Sequence, residues 1–272
     1  MLRLGHIVYS NCFPPHAGIL TGQEKFPFTI VDGVPTELNR LLSEGGVDVS
    51  PSSSIEYAVN SRRYLILPGF SISSRTKAMS ITLESRLPMD ALDGKVVALT
   101  TASATSVVLL RVILEVFHAS VPEFTLFDQA AEGPPEQADA VLTIGDLALE
   151  RAGGSSYHYI YDLGAVWHEF TGLPFVFALW QVNYKKNIDK DLGLLYDILC
   201  RSRDYGLSHI DELSKAHSGR FGISADLLSR YWRSLSYSFG EDEKKGLLAF
   251  YGYAVELGII KAVPELRFWR AG

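Results

Sequence analysis

Two stretches of the chain, residues 47–57 (VDVSPSSSIEY) and 96–110 (VVALTTASATSVVLL), pass from apolar β-type residues through a cluster of hydroxyls directly into helix-compatible sequence. A strand that feeds a helix and returns as another strand builds parallel sheet, so the repetition restricts the fold to the α/β class. Residues 3–9 and 28–31 read as strands, and 11–16 as a loop, because Ser10 and Asn11 favour a turn and Pro14–Pro15 follow. The segment GVPTELNRLLSEGG predicts a helix that carries Leu38, Leu41 and Leu42, capped by Thr36 and stopped by Gly45–Gly46.

Further β-type runs cover 64–67, 70–74 and 79–83. The pattern then restarts: strands at 96–99, 124–127, 140–144 and 159–162, an apolar helix at about 105–117, and a second helix, LALERA, behind Gly145-Asp146. Residues 173–182 (LPFVFALWQV) are the most apolar strand, and helices are expected beyond it at 192–203, 210–217, 224–237 and 242–257, the third capped by Ser224. The expected architecture is two-lobed: lobe I from 1–84 and 178–272 with the C-terminal helices, lobe II from 85–177 inserted through two crossover hinge strands, 79–83 and 173–182. Ligands of open α/β folds sit at the carboxyl ends of the strands, which places the expected site in the crevice between lobes.

Composition narrows the partners. With 25 basic and 31 acidic residues and a net charge of −6, the chain has no basic footprint for nucleic acid or an anionic membrane, so an anion has to be held by local dipoles. No run approaches the roughly 18 apolar residues of a membrane span, and the N-terminal apolar run is too interrupted for a signal peptide. Cys12 and Cys200 are the only cysteines and lie outside any ligand spacing. They suggest neither disulfide framework nor zinc site, and a reducing cytoplasm is expected.

Three strand-to-helix junctions are candidate anion sites. Ser52–Ser54 and Thr101–Ser106 offer backbone N–H groups at a helix start together with hydroxyl donors, while Gly145 allows close backbone approach. Ordinary N-capping is the alternative for any one of them. Asn11, at the end of the first strand, carries both a donor and an acceptor and suits polarising a departing hydroxyl, its plainer role being an Asx-turn. Cys12 reads as a small buried thiol and His16 as a weak rim candidate. The seven histidines form no HxxxH or HExxH pattern, and no metal is assigned. There is no GxxxxGK[ST], GxGxxG or GxSxG motif. Trp167, Phe170, Phe175, Phe177 and Trp180 read as core packing.

The ordered motifs YSNCFP, GVPTELNRLLSEGGVDVSPSSSIEYA, LPGFSISS, LDGKVVALTTASATSVVLL, LTIGDLALE and YDLGAVWHEFTGLPFVFALW, over residues 3–183, resemble the chorismate dehydratases of the futalosine route to menaquinone. The resemblance implies a type II periplasmic-binding-protein-like fold, conversion of chorismate to 3-[(1-carboxyvinyl)oxy]benzoate and water, and no cofactor; the sequence leaves monomer and homodimer open. It further implies that the substrate's enolpyruvyl carboxylate takes the C3 proton and that Asn11 lies at the reacting C3–C4 edge. Ser53 and Ser54 would then hold one carboxylate and Thr105 and Ser106 the other, with Ser74, Ser80 and Gly145 as further lining. Family members more usually have a Gly-Pro-Val-Gly-like stretch where this chain has residues 75–79, so Arg75 or Lys77 either adds a cation there or is solvated. Two alternatives share the fold. The 1,4-dihydroxy-6-naphthoate synthase of the same route resembles Pro-Asn-Asp-Thr where this chain has YSNCFP, and a non-catalytic small-anion receptor would need only binding and closure.

Overall fold

The computed structural model describes residues 1–151, 154–184 and 188–270. Its strands are β1 (Arg3–Ile7), β2 (Thr29–Gly33), β3 (Val49–Ser53), β4 (Tyr64–Ser74), β5 (Ile81–Ser85), β6 (Val96–Thr100), β7 (Glu123–Phe127), β8 (Ala140–Ile144), β9 (Tyr159–Asp162), β10 (Phe175–Asn183) and β11 (Leu235–Ser236). They form two sheets, ordered β11-β4-β10-β3-β1-β2 and β7-β6-β8-β5-β9. The chain divides into two compact units, residues 1–72, 178–240 and 264–272 in the first, 73–177 and 241–263 in the second. Among the described residues no helix is long and apolar enough to cross a membrane.

In the first unit β1 runs parallel to both β2 and β3, while β10 is antiparallel to β3, with Leu179 opposite Ser52 and Trp180 opposite Pro51. Proline is tolerated in β3 because β1 meets it at Leu4↔Val49, before Pro51, and that ladder loses no hydrogen bond to the missing N–H. Leu4, Ile7, Phe70, Trp180, Leu195 and Leu199 fill the core. The helix Phe13–Leu20 lies against the helix Asp189–Ser208 at a distance only glycine permits: a Cβ on Gly206 would come within 1.9 Å of the Pro14 carbonyl oxygen, and one on Gly18 within 2.8 Å of the Ser202 Cα.

In the second unit β6 is parallel to β7 and β8, and β5 is antiparallel to β8 and β9. The apolar helix expected at 105–117 forms as Ala104–Arg111 passing into a π-helical segment, Val112–Phe117. Helix Glu241–Glu256 packs here, Gly246 meeting the Pro174 carbonyl and Phe250 meeting Phe175 at 4.9 Å. Ala152, the last residue of the LALERA segment, lies outside the described residues.

Several expectations are corrected. The expected boundary at residue 84 falls instead at 72/73, because 79–83 contributes to β5, a strand of the second sheet; the first crossing strand is β4. The C-terminal helices do not all join lobe I, since residues 241–263 cluster with the second unit. The segment expected as a loop at 11–16 is helical, with Pro14 and Pro15 in the first turn of Phe13–Leu20, where absent N–H groups cost nothing. Thr36 does not cap its helix: Pro35 begins it and Val34 is the cap residue. Ser224 does cap, accepting from the Leu227 N–H, but the helix it starts ends at Ser234, so Tyr237 lies beyond it. Phe170 is 47% exposed rather than part of the core.

Candidate functional site

Asn11 sits in a single 3-10 turn, Ser10–Cys12, between β1 and the helix Phe13–Leu20. The turn is anchored from a distant part of the chain: the indole Nε1–H of Trp232 donates to the Ser10 carbonyl at 2.7 Å, and the Trp232 ring stacks on Phe13 at 5.5 Å and 11°. The Phe13 N–H also donates to the Ser10 carbonyl. An Asx-turn would direct that N–H to Asn11, but the Asn11 Oδ1 is buried and has no hydrogen-bond partner among the described residues. A buried acceptor without a partner is costly and calls for a ligand-facing explanation.

Behind the turn lie His6, Cys12 and His16, all buried, their ligand-type atoms within 4.8 Å of one another. His16 is 1% exposed and therefore not a rim residue, because its helix starts sooner than the prolines suggest. The hydrogen bonds define both rings. The Trp180 indole can only donate, at 3.2 Å, so His16 Nε2 is the acceptor, and the proton on His16 Nδ1 points to His6 Nδ1 at 2.8 Å. A metal on His16 Nδ1 would require a proton on Nε2, facing the Trp180 N–H donor to donor. The arrangement fits a neutral hydrogen-bonded relay better than a metal centre. Burial lowers the His6 pKa to about 4 against a partial opposing pull from Asp32, and burial, then His6, hold that of His16 well below its usual value. Burial likewise pushes the Cys12 thiol up to about 12, leaving it protonated and unreactive.

The histidine pair sets an acid limit. Both rings are neutral in the folded chain, whereas below pH 6.5 the unfolded chain protonates them. Stability present above pH 6.5 is therefore lost as pH falls toward 4, by about 1.4 kcal/mol per pH unit for each ring. Thermal melts at pH 7, 6 and 5 are expected to show a progressive fall in Tm; a flat profile would mean that the rings take up protons alike in the folded and unfolded chain.

Ser53 ends β3 and is the cap residue of the helix Ser54–Asn60, yet its side chain does not cap. Ser53 and Ser54 are buried. The junction is braced on both sides: Asn39 Oδ1 accepts from the Ser52 hydroxyl and, at 3.2 Å, from the Ser53 N–H, and the Gln181 amide donates to the Ser52 and Ser53 carbonyls at 3.3 and 2.9 Å. Asn39 and Gln181 lie inside a helix motif and an apolar strand, where nothing local marks them as braces of this junction.

In the second unit Ser103 is the cap of the helix Ala104–Arg111, accepting from the Ser106 N–H at 3.3 Å, with the two hydroxyls 3.0 Å apart. Ordinary capping therefore accounts for one Ser106 group. Two hydroxyls joined by one bond still leave one O–H of the pair to donate. Thr105 is buried beside them. Gly145 has φ +69°, a conformation glycine adopts without strain, and its N–H donates to the Ser80 carbonyl at 2.8 Å, which brings these two expected residues together. Gln129 completes the end of β8 by bonding both the N–H and the carbonyl of Ile144. The Ser74 hydroxyl is buried without a hydrogen-bond partner among the described residues. Residues 75–79 are held by Asp162, whose carboxylate accepts from the Ala78, Met79 and Ala165 N–H groups at 2.9, 2.7 and 3.0 Å, while Arg75 and Lys77 are exposed.

The two sheet units have the periplasmic-binding-protein-like fold class. The chain is similar over its whole length to the periplasmic aliphatic sulphonate binding protein SsuA from Escherichia coli, with a TM-score of 0.69, 12% identity and 92% of that chain covered. It is also similar to protein AF1704 from Archaeoglobus fulgidus, with a TM-score of 0.76, 20% identity, and 95% and 98% of the two chains covered. Within that class the chain belongs to the menaquinone biosynthesis family, whose model matches residues 2–256. It is 32% identical over 266 residues to the chorismate dehydratase of Thermus thermophilus, covering 91% of this chain and 93% of that one. To the chorismate dehydratase of Campylobacter jejuni it is 30% identical over 192 residues, covering 69% and 70%.

Proposed function

We propose that the chain is a chorismate dehydratase, removing the C3 proton and C4 hydroxyl of chorismate to give 3-[(1-carboxyvinyl)oxy]benzoate and water. Full-length similarity to enzymes of that name motivates the reading, and the buried, unpartnered Oδ1 of Asn11 is the observation that carries it into the site. The C3 proton is acidic because the resulting carbanion conjugates through a ring alkene to the ring carboxylate, and aromatisation drives loss of the hydroxyl. The enolpyruvyl carboxylate of the substrate takes the proton. The protein then has to hold the ring and align leaving group and base. No electrons are exchanged with a carrier, so the reaction needs no redox cofactor.

Asn11 acts at the C3–C4 edge in this reading. Ser53 and Ser54 hold one carboxylate. Thr105 and Ser106 hold the other, the Ser103–Ser106 pair retaining a hydroxyl donor for it, and Ser74, Ser80 and Gly145 complete the contacts. We place the reaction in the cytoplasm, in keeping with two free cysteines and a biosynthetic substrate.

Incubation of purified protein with chorismate, followed by loss of diene absorbance and mass spectrometry of the product, is expected to show conversion with loss of one water. Failure of well-folded protein to consume chorismate would overturn the proposal. Tight binding without turnover would instead mark a small-anion receptor.

A further inference from the structure

Tyr237 lies just past β11 in the first unit, where the helix Ala225–Ser234 has already ended. Its side chain is 2% exposed, and its hydroxyl has no hydrogen-bond partner among the described residues. Its own backbone is fixed by the neighbouring strand: the Tyr237 carbonyl accepts from the Ser71 N–H, and the Ser71 hydroxyl donates to the Ser238 carbonyl. Tyr237 packs in the same core cluster as Cys12 and is within electrostatic reach of that thiol, the residue that follows Asn11. Two buried polar atoms in this region, the Tyr237 hydroxyl and the Asn11 Oδ1, thus go unpaired, and they do not pair with each other.

An orphaned hydroxyl in an apolar core is disfavoured relative to phenylalanine, which would fill the same space at no desolvation cost. The pairing of orphan donor and orphan acceptor near one turn is explained if both face a third molecule. We infer that Tyr237 is a substrate-contacting residue, whose hydroxyl donates a hydrogen bond to the C4 oxygen of chorismate as that oxygen departs. This rests on the dehydratase reading above. In the step itself the C3–H proton moves to the enolpyruvyl carboxylate, and the C3–H electron pair forms the new ring double bond. The C4–O bond breaks with its electrons on oxygen, and the newly formed carboxylic acid returns its proton to that oxygen to make water. Tyr237 stabilises the charge developing on the oxygen and keeps its own proton, in accord with burial raising its pKa well above 10.

Tyr237→Phe separates this role from a structural one. A merely buried hydroxyl predicts an unchanged or higher Tm with kcat intact. The inference predicts the same unchanged or higher Tm with kcat for chorismate lowered about tenfold to a hundredfold and KM changed far less. Wild-type turnover, measured alongside, reports on the dehydratase reading by itself, so active wild type with an equally active Tyr237→Phe overturns only the inference. A second readout needs no turnover: the inhibition constants of a ring-saturated chorismate analogue, which cannot aromatise, and its 4-deoxy counterpart. The wild type is expected to prefer the 4-hydroxy analogue, and Tyr237→Phe to narrow that preference. Equal binding of the two analogues by the wild type would overturn the inference without recourse to the variant.

Discussion

Asn11→Ala is expected to lower kcat for chorismate dehydration about 10²–10³-fold while KM shifts less than about threefold. The expectation follows from the geometry of the turn. Three bonds that shape Ser10–Cys12 are made by groups other than the Asn11 amide: Cys12 N–H to the Tyr9 carbonyl, and Phe13 N–H and the Trp232 indole to the Ser10 carbonyl. Truncating Asn11 therefore leaves these bonds in place and removes a buried acceptor that has no partner among the described residues. Steady-state kinetics with a thermal melt as control decide the matter. A variant with raised KM and wild-type kcat would make Asn11 a residue that positions the ground state, not one that acts in the transition state.

Glu84→Ala is expected to remove about 3–5 kcal/mol of stability, a fall in Tm on the order of 10 °C. Glu84 is 1% exposed in β5 and accepts from Arg151 Nε and Nη2 at 2.6 and 2.9 Å, with the hydroxyls of Ser155 and Thr143 completing its shell. Alanine would leave a guanidinium three-quarters buried without its carboxylate and the Ser155 hydroxyl without this acceptor. Denaturant unfolding of the variant measures the loss. A change below about 1 kcal/mol would mean that Arg151 swings into solvent at little cost. Replacing both partners with Leu and Met is expected to recover most of the stability, since an apolar pair of similar volume has no charge to desolvate.

The strand–helix alternation was legible because apolar period and hydroxyl-rich junctions are local properties, and so was the Ser224 cap. The destination of a strand is not local. Residues 70–74 and 79–83 look alike in composition, yet the first run lies in β4 of the six-stranded sheet and the second in β5 of the other, a choice made by partners such as Ile144 opposite Ile81. Pro14–Pro15 signals both a loop and a first helical turn, and only the packing of Gly206 on Pro14 selects the helix. In the candidate site, Asn11, Ser53 and Thr105 were visible as polar residues at strand ends. The braces were not: Asn39, Gln181 and Gln129, and Asp162 in its bonds to Ala78 and Met79, serve backbone groups distant in sequence, which no spacing rule marks. Tyr237 escaped notice because the helix pattern extended past Ser234 and placed it on a helical face.

The anchor of the Asn11 turn spans 222 residues, from Ser10 to Trp232. Closing so long a loop is among the last events a folding chain can complete, because its entropy must be offset by contacts that do not yet exist. During synthesis β1 can pair with β2 and β3 soon after they emerge, but the turn lacks its distant anchor until Trp232 leaves the ribosome. A truncated or stalled chain would therefore carry Asn11 without an anchored turn, and competence for catalysis would mark completion of the polypeptide.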